Sequence, residues 1–228
     1  MRINRGKFIC FTGMDGAGKT TLAQGLRACL EQGGFKSSYV HSRLKPVLSR
    51  PAMLVGMALF LGGGQKTRDF KDYASRKKKV FASGWLAQGY LYLMSLDYLL
   101  QVMARIWLPL RLGRNLVCDR YIYDTVVFDV AANLPYSRER TMRIIKSYQS
   151  LMPRPDLLFV VDVPEEVAYS RKSDIPSLEY LRGVRRLFLE MGELFQAIIL
   201  DGSRPVAEVC AIAEGKTREL LSIGRHNG

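Results

Sequence analysis

An apolar run, KFICF (Lys7 to Phe11), leads directly into GMDGAGKT (Gly13 to Thr20). No other junction in the chain constrains the fold as strongly. The run reads as a buried strand. The glycines permit a turn whose backbone N–H groups converge on one point. A helix is expected from about Thr20 to Gln32, ending at Gly33-Gly34, and it adds the positive end of its dipole at that point. The octapeptide fits G-x-x-x-x-G-K-[ST], and strand–loop–helix is the setting such a motif requires. Gly13, Met14, Asp15, Gly16, Ala17, Gly18, Lys19, Thr20 and Thr21 are therefore the candidate residues for holding the phosphates of a nucleoside triphosphate, ATP. Lys19 is suited to the β- and γ-phosphates, and the Thr20 hydroxyl to Mg²⁺.

Beyond the loop the chain alternates strand and helix. Strands are expected at SSYVHS (Ser37 to Ser42), NLVCD (Asn115 to Asp119), LLFVVDV (Leu157 to Val163) and AIILDG (Ala197 to Gly202). Helices are expected at Trp85 to Leu112, Ile122 to Asn133, Arg138 to Leu151, Pro164 to Lys172 and Leu178 to Phe195, with a last one from near Pro205. Short continuous apolar strands separated by helices argue for an α/β fold, a parallel sheet covered on both faces. No repeat or linker interrupts the pattern, so one domain over 1–228 is expected.

Charge bounds the partners. The formal net charge is +13, which attracts anions such as phosphorylated small molecules, anionic lipid or nucleic acid. No interleaving of basic and aromatic residues marks a specific nucleic-acid surface. The four cysteines form no CxxC pair; Cys10 and Cys118 lie in apolar runs and read as reduced core residues of a cytoplasmic protein. Pro51 to Gln65 and Val80 to Leu96 carry no charge, yet both are shorter than the roughly 20 residues a spanning helix needs. They read as buried or interface helices, with peripheral membrane contact as the less favoured alternative. The run RKKK (Arg76 to Lys79) reads as a solvated face or a contact with an anionic surface.

Other candidates follow the strands, where ligands of open α/β sheets bind. In CDRYIYD (Cys118 to Asp124), Asp119 is placed to hold Mg²⁺ and Arg120 to grip a phosphate with its planar fork. Asp15, a carboxylate among phosphate-binding amides, needs a use, either accepting from a substrate hydroxyl or holding metal-bound water. Arg171, in YSRKSDIPSLEY, is suited to a closing lid of about 171–178 that supplies positive charge and excludes water. Asp97, Gln101 and Arg105 share one helix face, toward either the cleft or solvent.

Taken together, FTGMDGAGKTT, VCDRY, PDLLFVVDVPEE, the RKSD loop and DGSRPVAEV resemble the thymidylate kinase family of P-loop kinases over roughly residues 5 to 220. The resemblance implies a three-layer α/β/α fold with a five-stranded parallel sheet, ATP and Mg²⁺, transfer to a nucleoside monophosphate, and a homodimer. By matching position Asp15, Lys19, Thr20, Asp119, Arg120 and Arg171 inherit site roles. Arg43 aligns with an arginine that binds the acceptor phosphate, and Asp201 to Pro205 is expected near the adenine. With Arg43, the candidates on the acceptor side are Tyr98, Arg120, Tyr121 and Asp124.

The chain also departs from the family. Thr12 stands where an acidic residue usually precedes the first loop glycine. RLKPVL replaces R-E-P-G-G-T. Met94 and Tyr98 occupy the positions of a base-stacking Phe and a phosphate-binding Arg. IYDTVVFD replaces S-S-x-A-Y-Q. The leading expectation is phosphoryl transfer to dTMP. A non-nucleotide acceptor, a sugar or a lipid-linked precursor, is the alternative. A non-catalytic nucleotide-binding module is the third reading.

Overall fold

The computed structural model describes residues 5–43, 84–131, 137–172 and 175–226. Five strands form one all-parallel sheet: β1 (Phe8–Gly13), β2 (Ser37–His41), β3 (Asn115–Asp119), β4 (Leu157–Asp162) and β5 (Ile198–Asp201), in the order β2-β3-β1-β4-β5. Every residue of β1 is buried, as expected of a central strand covered on both faces. Phe8, Ile9, Cys10 and Phe11 have no exposed surface. They meet Leu116 to Asp119 of β3 on one side, and Ile9 to Gly13 meet Leu157 to Val161 of β4 on the other.

Helices complete the layers. α1 (Lys19–Gln32) and the last helix, Val206–His226, pack on each other, and α1 also lies against β1, β2 and β3. The next helix, α2 (Gly84–Val102), passes through a π-helical turn (Met103–Trp107) into α3 (Leu108–Arg111). A single helix over Trp85 to Leu112 was the expectation. Pro109 gives the interruption a cause, because its ring clashes with the carbonyl four residues earlier and it donates no N–H. After β3 comes α4 (Ile122–Asp124), which widens into a second π-helical stretch, Thr125–Ala131. α5 (Arg138–Leu151) coincides with its expected span and starts on Ser137, whose hydroxyl accepts from Arg140 N. α6 is Glu165–Ser170, and α7 (Leu178–Leu194) packs on β1, β4 and β5; the last helix is α8.

The chain leaves β1 toward β2 and leaves β3 toward β4, on the far side of β1. The connections therefore part between the carboxyl ends of β1 and β3, which creates a crevice there. Among the described helices none is long and apolar enough to cross a membrane. Pro51 to Gln65, the basic run 76–79 and residues 80–83 lie outside the described residues. All four cysteines are free, with Cys10 and Cys118 buried.

Candidate active site

The crevice is built from the loop after β1 and the turn after β3. Gly16 and Gly18 take φ of 86° and 92°, left-handed values that favour glycine. A Cβ on Gly16 would stand 2.5 Å from the Ala168 carbonyl oxygen of α6. Gly18 is the N-cap of α1. Lys19 is almost fully buried at the first position of α1, and its Nζ donates to the carbonyls of Gly13 and Met14, both at 2.8 Å. Met14 and Ala17 are buried.

The turn after β3 is pinned from below by aromatics. Tyr121 has no exposed surface, meets Phe8 edge-on at 5.1 Å, and donates its hydroxyl to the Pro153 carbonyl. Tyr123 packs between Tyr121 and Phe195. Arg120 sits at φ 67°, a left-handed conformation costly for a side-chain-bearing residue. Its N–H donates to the Phe11 carbonyl. The result turns the guanidinium toward the phosphate loop, where Nη2 donates to Asp15 Oδ1 at 2.5 Å and Cζ lies 5.9 Å from the Phe128 ring centre. Nε and Nη1 are buried and have no hydrogen-bond partner among the described residues, so two donor atoms of this guanidinium are left unsatisfied.

Charges of alternating sign surround Arg120. Lys19 Nζ lies 3.8 Å from Asp15 Oδ1 and 3.8 Å from Asp124 Oδ1, and Arg120 Nη1 lies 3.9 Å from that same Asp124 oxygen. Lys172 Nζ reaches to 3.8 Å from Asp15. Burial works to raise the Asp15 pKa, but Lys19 and then Arg120 outweigh it and hold the carboxyl below its ordinary range. For Asp124 burial wins over Lys19 and Arg120, and the carboxyl is pushed up to about 6. Thr12 Oγ1 donates to Asp124 Oδ2 at 2.6 Å, and Tyr121 N adds a longer bond of 3.4 Å.

Asp119 ends β3 with no exposed surface. Its Oδ2 accepts from Thr20 Oγ1 at 2.6 Å and Tyr39 OH at 2.9 Å, and lies 3.1 Å from His41 Nδ1. Its Oδ1 is buried and accepts no hydrogen bond among the described residues. One fixed carboxylate with an open oxygen, beside a threonine hydroxyl at a phosphate loop, fits Mg²⁺, which takes one or two protein oxygens and completes its shell with phosphates and water. Tyr39 and His41 were not foreseen. Their signal was present, since residues two apart on a strand share a face and the register sets His41 opposite Asp119.

On the outer side of the loop, a cavity of about 230 Å³ is bounded by Gly18, Thr21, Arg171, Gly202 and Val206. Arg171 Nη1 donates to the Gly16 carbonyl at 3.3 Å. The loop at Asp201 to Pro205 therefore borders the same space as the phosphate loop. Arg185 of α7 holds this region together, with two bonds to Asp162 (2.7 and 2.8 Å) and one to Glu165 (2.7 Å). Gly202 N donates to the Asp162 carbonyl.

The structure thus brings together Asp15, Lys19, Thr20, Asp119, Arg120 and Asp124, with Arg171 at the rim. Two acceptor-side candidates stand elsewhere. Tyr121 is a core residue with its hydroxyl spent on Pro153. Tyr98 is 2% exposed and donates its hydroxyl to the Ser42 carbonyl at 3.2 Å, so it presents no donor to an acceptor phosphate. Arg43 follows β2 and is partly buried. In the lid span, 173–174 lie outside the described residues. The polar stripe on α2 divides: Gln101 donates to buried Asp97, while Arg105 is exposed in the π-helical turn.

Comparison with known proteins agrees with this geometry. The family model described as thymidylate kinase matches residues 65–211. A protein of Archaeoglobus fulgidus described as "Probable thymidylate kinase" is 28% identical over 207 residues, covering 88% of this chain and 89% of its own. A "Thymidylate kinase" of Dinoroseobacter shibae is 26% identical over 90% of this chain and 93% of its own. One from Xanthomonas campestris pv. campestris is 30% identical over 75% of this chain and 64% of its own. A phosphate loop joined to an Asp-Arg turn across a β2-β3-β1-β4-β5 sheet, in a chain matched over most of its length, establishes that this chain belongs to the thymidylate kinase family and is a phosphotransferase.

Proposed function

We propose that the protein transfers the terminal phosphoryl group of ATP to a nucleoside monophosphate, with dTMP as acceptor and dTDP and ADP as products. The observation that carries this reading is the facing pair Lys19 and Arg120, two cations across the crevice, the second with two unspent donors. Phosphoryl transfer needs little covalent chemistry from the protein; it needs positioning and positive charge around the transferred group. Lys19 and Arg171 meet the β- and γ-phosphates, and Arg120, with Arg43, the acceptor. Thr20 and Asp119 are the residues that would hold Mg²⁺, which supplies neutralising charge to the phosphates. The family match and the relatives' names support thymidylate as acceptor. A cytoplasmic location and a homodimer belong to the same proposal.

Tyr98 favours a second reading. With its hydroxyl on Ser42, α2 contributes no cation at that position, and a neutral hydroxyl acceptor would not miss one. ADP release from ATP·Mg²⁺ with dTMP, dUMP, UMP, CMP, AMP, GMP, or no acceptor separates the two. Strong stimulation by dTMP supports the first. MgADP binding without stimulation by any nucleotide transfers the assignment to a non-nucleotide acceptor.

A further inference from the structure

Among the described residues, Asp119 takes three hydrogen bonds on one oxygen and none on the other. Its Oδ2 accepts from Thr20 Oγ1 at 2.6 Å and from Tyr39 OH at 2.9 Å, with His41 Nδ1 at 3.1 Å. Two acceptor atoms do not approach so closely without a proton between them, so Nδ1 is the donor of the third bond. Oδ1 is buried and accepts from none of the described residues. A carboxylate oxygen offers about two lone pairs, so three donors leave Oδ2 nothing for a cation. The carboxylate is presented as a one-oxygen ligand.

Two of the three donors come from β2. Tyr39 and His41 stand two apart on that strand and share a face, and the register sets His41 opposite Asp119. The pairing of β2 with β3 thus carries both donors to a carboxylate that has no exposed surface. Thr20 has a second duty, since its hydroxyl oxygen is suited to the metal; Tyr39 and His41 have none. The other two carboxylates of the crevice lie against cations: Asp15 pairs with Arg120 and Lys19, and Asp124 with Lys19 and Arg120. Among the described residues, the only basic side chain that pairs with Asp119 is His41.

From this geometry we propose that Tyr39 and His41 set the metal specificity of the site: by occupying Oδ2 they confine Asp119 to ligation through Oδ1, which selects Mg²⁺ over Ca²⁺. The assignment rests on the phosphotransferase reading of the crevice, with Asp119 and Thr20 on the metal. Mg²⁺ demands near-octahedral geometry at about 2.0–2.1 Å and takes one or two carboxylates with phosphates and water. Ca²⁺ gathers about six to eight oxygens at about 2.3–2.6 Å, in part from carboxylates bound through both oxygens. With Oδ2 occupied the second oxygen is withheld, and the larger ion gains nothing from Asp119 that Mg²⁺ lacks. Both residues act through Asp119 and are positioning residues, not ligands.

The test reads metal binding without turnover. Mn²⁺ bound to the protein with ADP is followed by electron paramagnetic resonance and displaced by Mg²⁺ or by Ca²⁺, with ADP alone as the reference. The wild type is compared with Tyr39→Phe, His41→Ala, the double variant and His41→Asn, whose amide keeps an N–H donor near the Nδ1 position. Relative to ADP alone, the wild type is expected to give up Mn²⁺ more readily to Mg²⁺ than to Ca²⁺. In the double variant the ratio of the two displacement constants is expected to move toward Ca²⁺ by about 10-fold or more. The single variants move it less, and His41→Asn keeps it near the wild-type value. Melting temperature reports folding; residues that merely support β2 would lower it and leave the ratio alone. If the double variant does not fold, His41→Ala against His41→Asn makes the same comparison across one bond. An unchanged ratio in folded variants that still bind Mn²⁺ overturns the proposal. So does complete loss of Mn²⁺, because the two residues would then hold the metal rather than choose it, and so does a wild type with no preference beyond that of ADP. These results leave the phosphotransferase reading intact. A wild type that binds no more Mn²⁺ with ADP than ADP binds alone removes the metal site itself, and the proposal with it.

Discussion

Thr12 and Asp124 each depart from the family pattern in the sequence, and in the structure they are one feature. The hydroxyl stands on β1 and the carboxylate on α4, joined at 2.6 Å. A site that lost its carboxylate before the loop glycine has one from the turn after β3. That compensation was illegible in the sequence because the two residues are 112 apart and neither carries a periodic signal. That Lys19, Thr20, Asp119 and Arg120 meet in one crevice was legible, because motif spacing and strand ends place them. Tyr98 and Tyr121 misled, since a tyrosine at a strand or helix position is equally suited to core and cleft, and here packing took both. The raised carboxyl of Asp124 sets a pH dependence of stability. Between about pH 4 and 6 the folded chain keeps a proton that the unfolded chain releases. Stability from this group is therefore largest at the acid end of that window and is lost as pH rises to about 6. The melting temperature of the wild type relative to Asp124→Asn is expected to fall across the window; parallel curves would contradict it. Tyr39→Phe removes a bond that orients Asp119 and is expected to raise the Mg²⁺ concentration for half-maximal activity by about 10-fold or more, read from a Mg²⁺ titration of turnover.

At the scale of elements, the strand spans and most helix spans followed from apolar runs, caps and glycines. α5 and α7 begin on Ser137 and Ser177, each accepting from the N–H three residues on. The π-helical turns were not foreseen, because local wideness of a helix leaves hydrophobic periodicity nearly unchanged. The phosphate loop depends on close approach to α6. Gly16→Ala introduces a Cβ against the Ala168 carbonyl at a left-handed φ, with an expected cost of about 1–3 kcal/mol and loss of MgADP binding by calorimetry. Arg185 ties β4, α6 and α7 beneath the outer cavity. Arg185→Ala leaves Asp162 without its partner and Glu165 with only the longer pair to Arg182 at 3.8 Å, and is expected to cost about 1–3 kcal/mol in denaturant unfolding. Because Arg185 acts through the elements that carry Arg171 and Gly202, the variant is expected to raise KM for ATP more than it lowers kcat.

For the whole molecule, the alternation of apolar strands and helices settled the layered α/β class, and the strand order then set where the crevice opens. Net charge indicated anionic ligands without choosing one, as a long-range property must. Exposed apolar residues on α2, Tyr92, Leu96 and Leu100, recur four apart, and a homodimer through this face is the proposed arrangement; sedimentation equilibrium showing only monomer at micromolar concentration would contradict it. We propose that the crevice between β1 and β3 transfers a phosphoryl group from ATP to dTMP. Direct chromatographic detection of dTDP from ATP, Mg²⁺ and dTMP, in wild type beside folded Lys19→Ala, tests it most directly. The wild type is expected to give dTDP and ADP in equal amounts, and Lys19→Ala none above background. Equal dTDP from both proteins, or none from a wild type that binds MgADP, would contradict it.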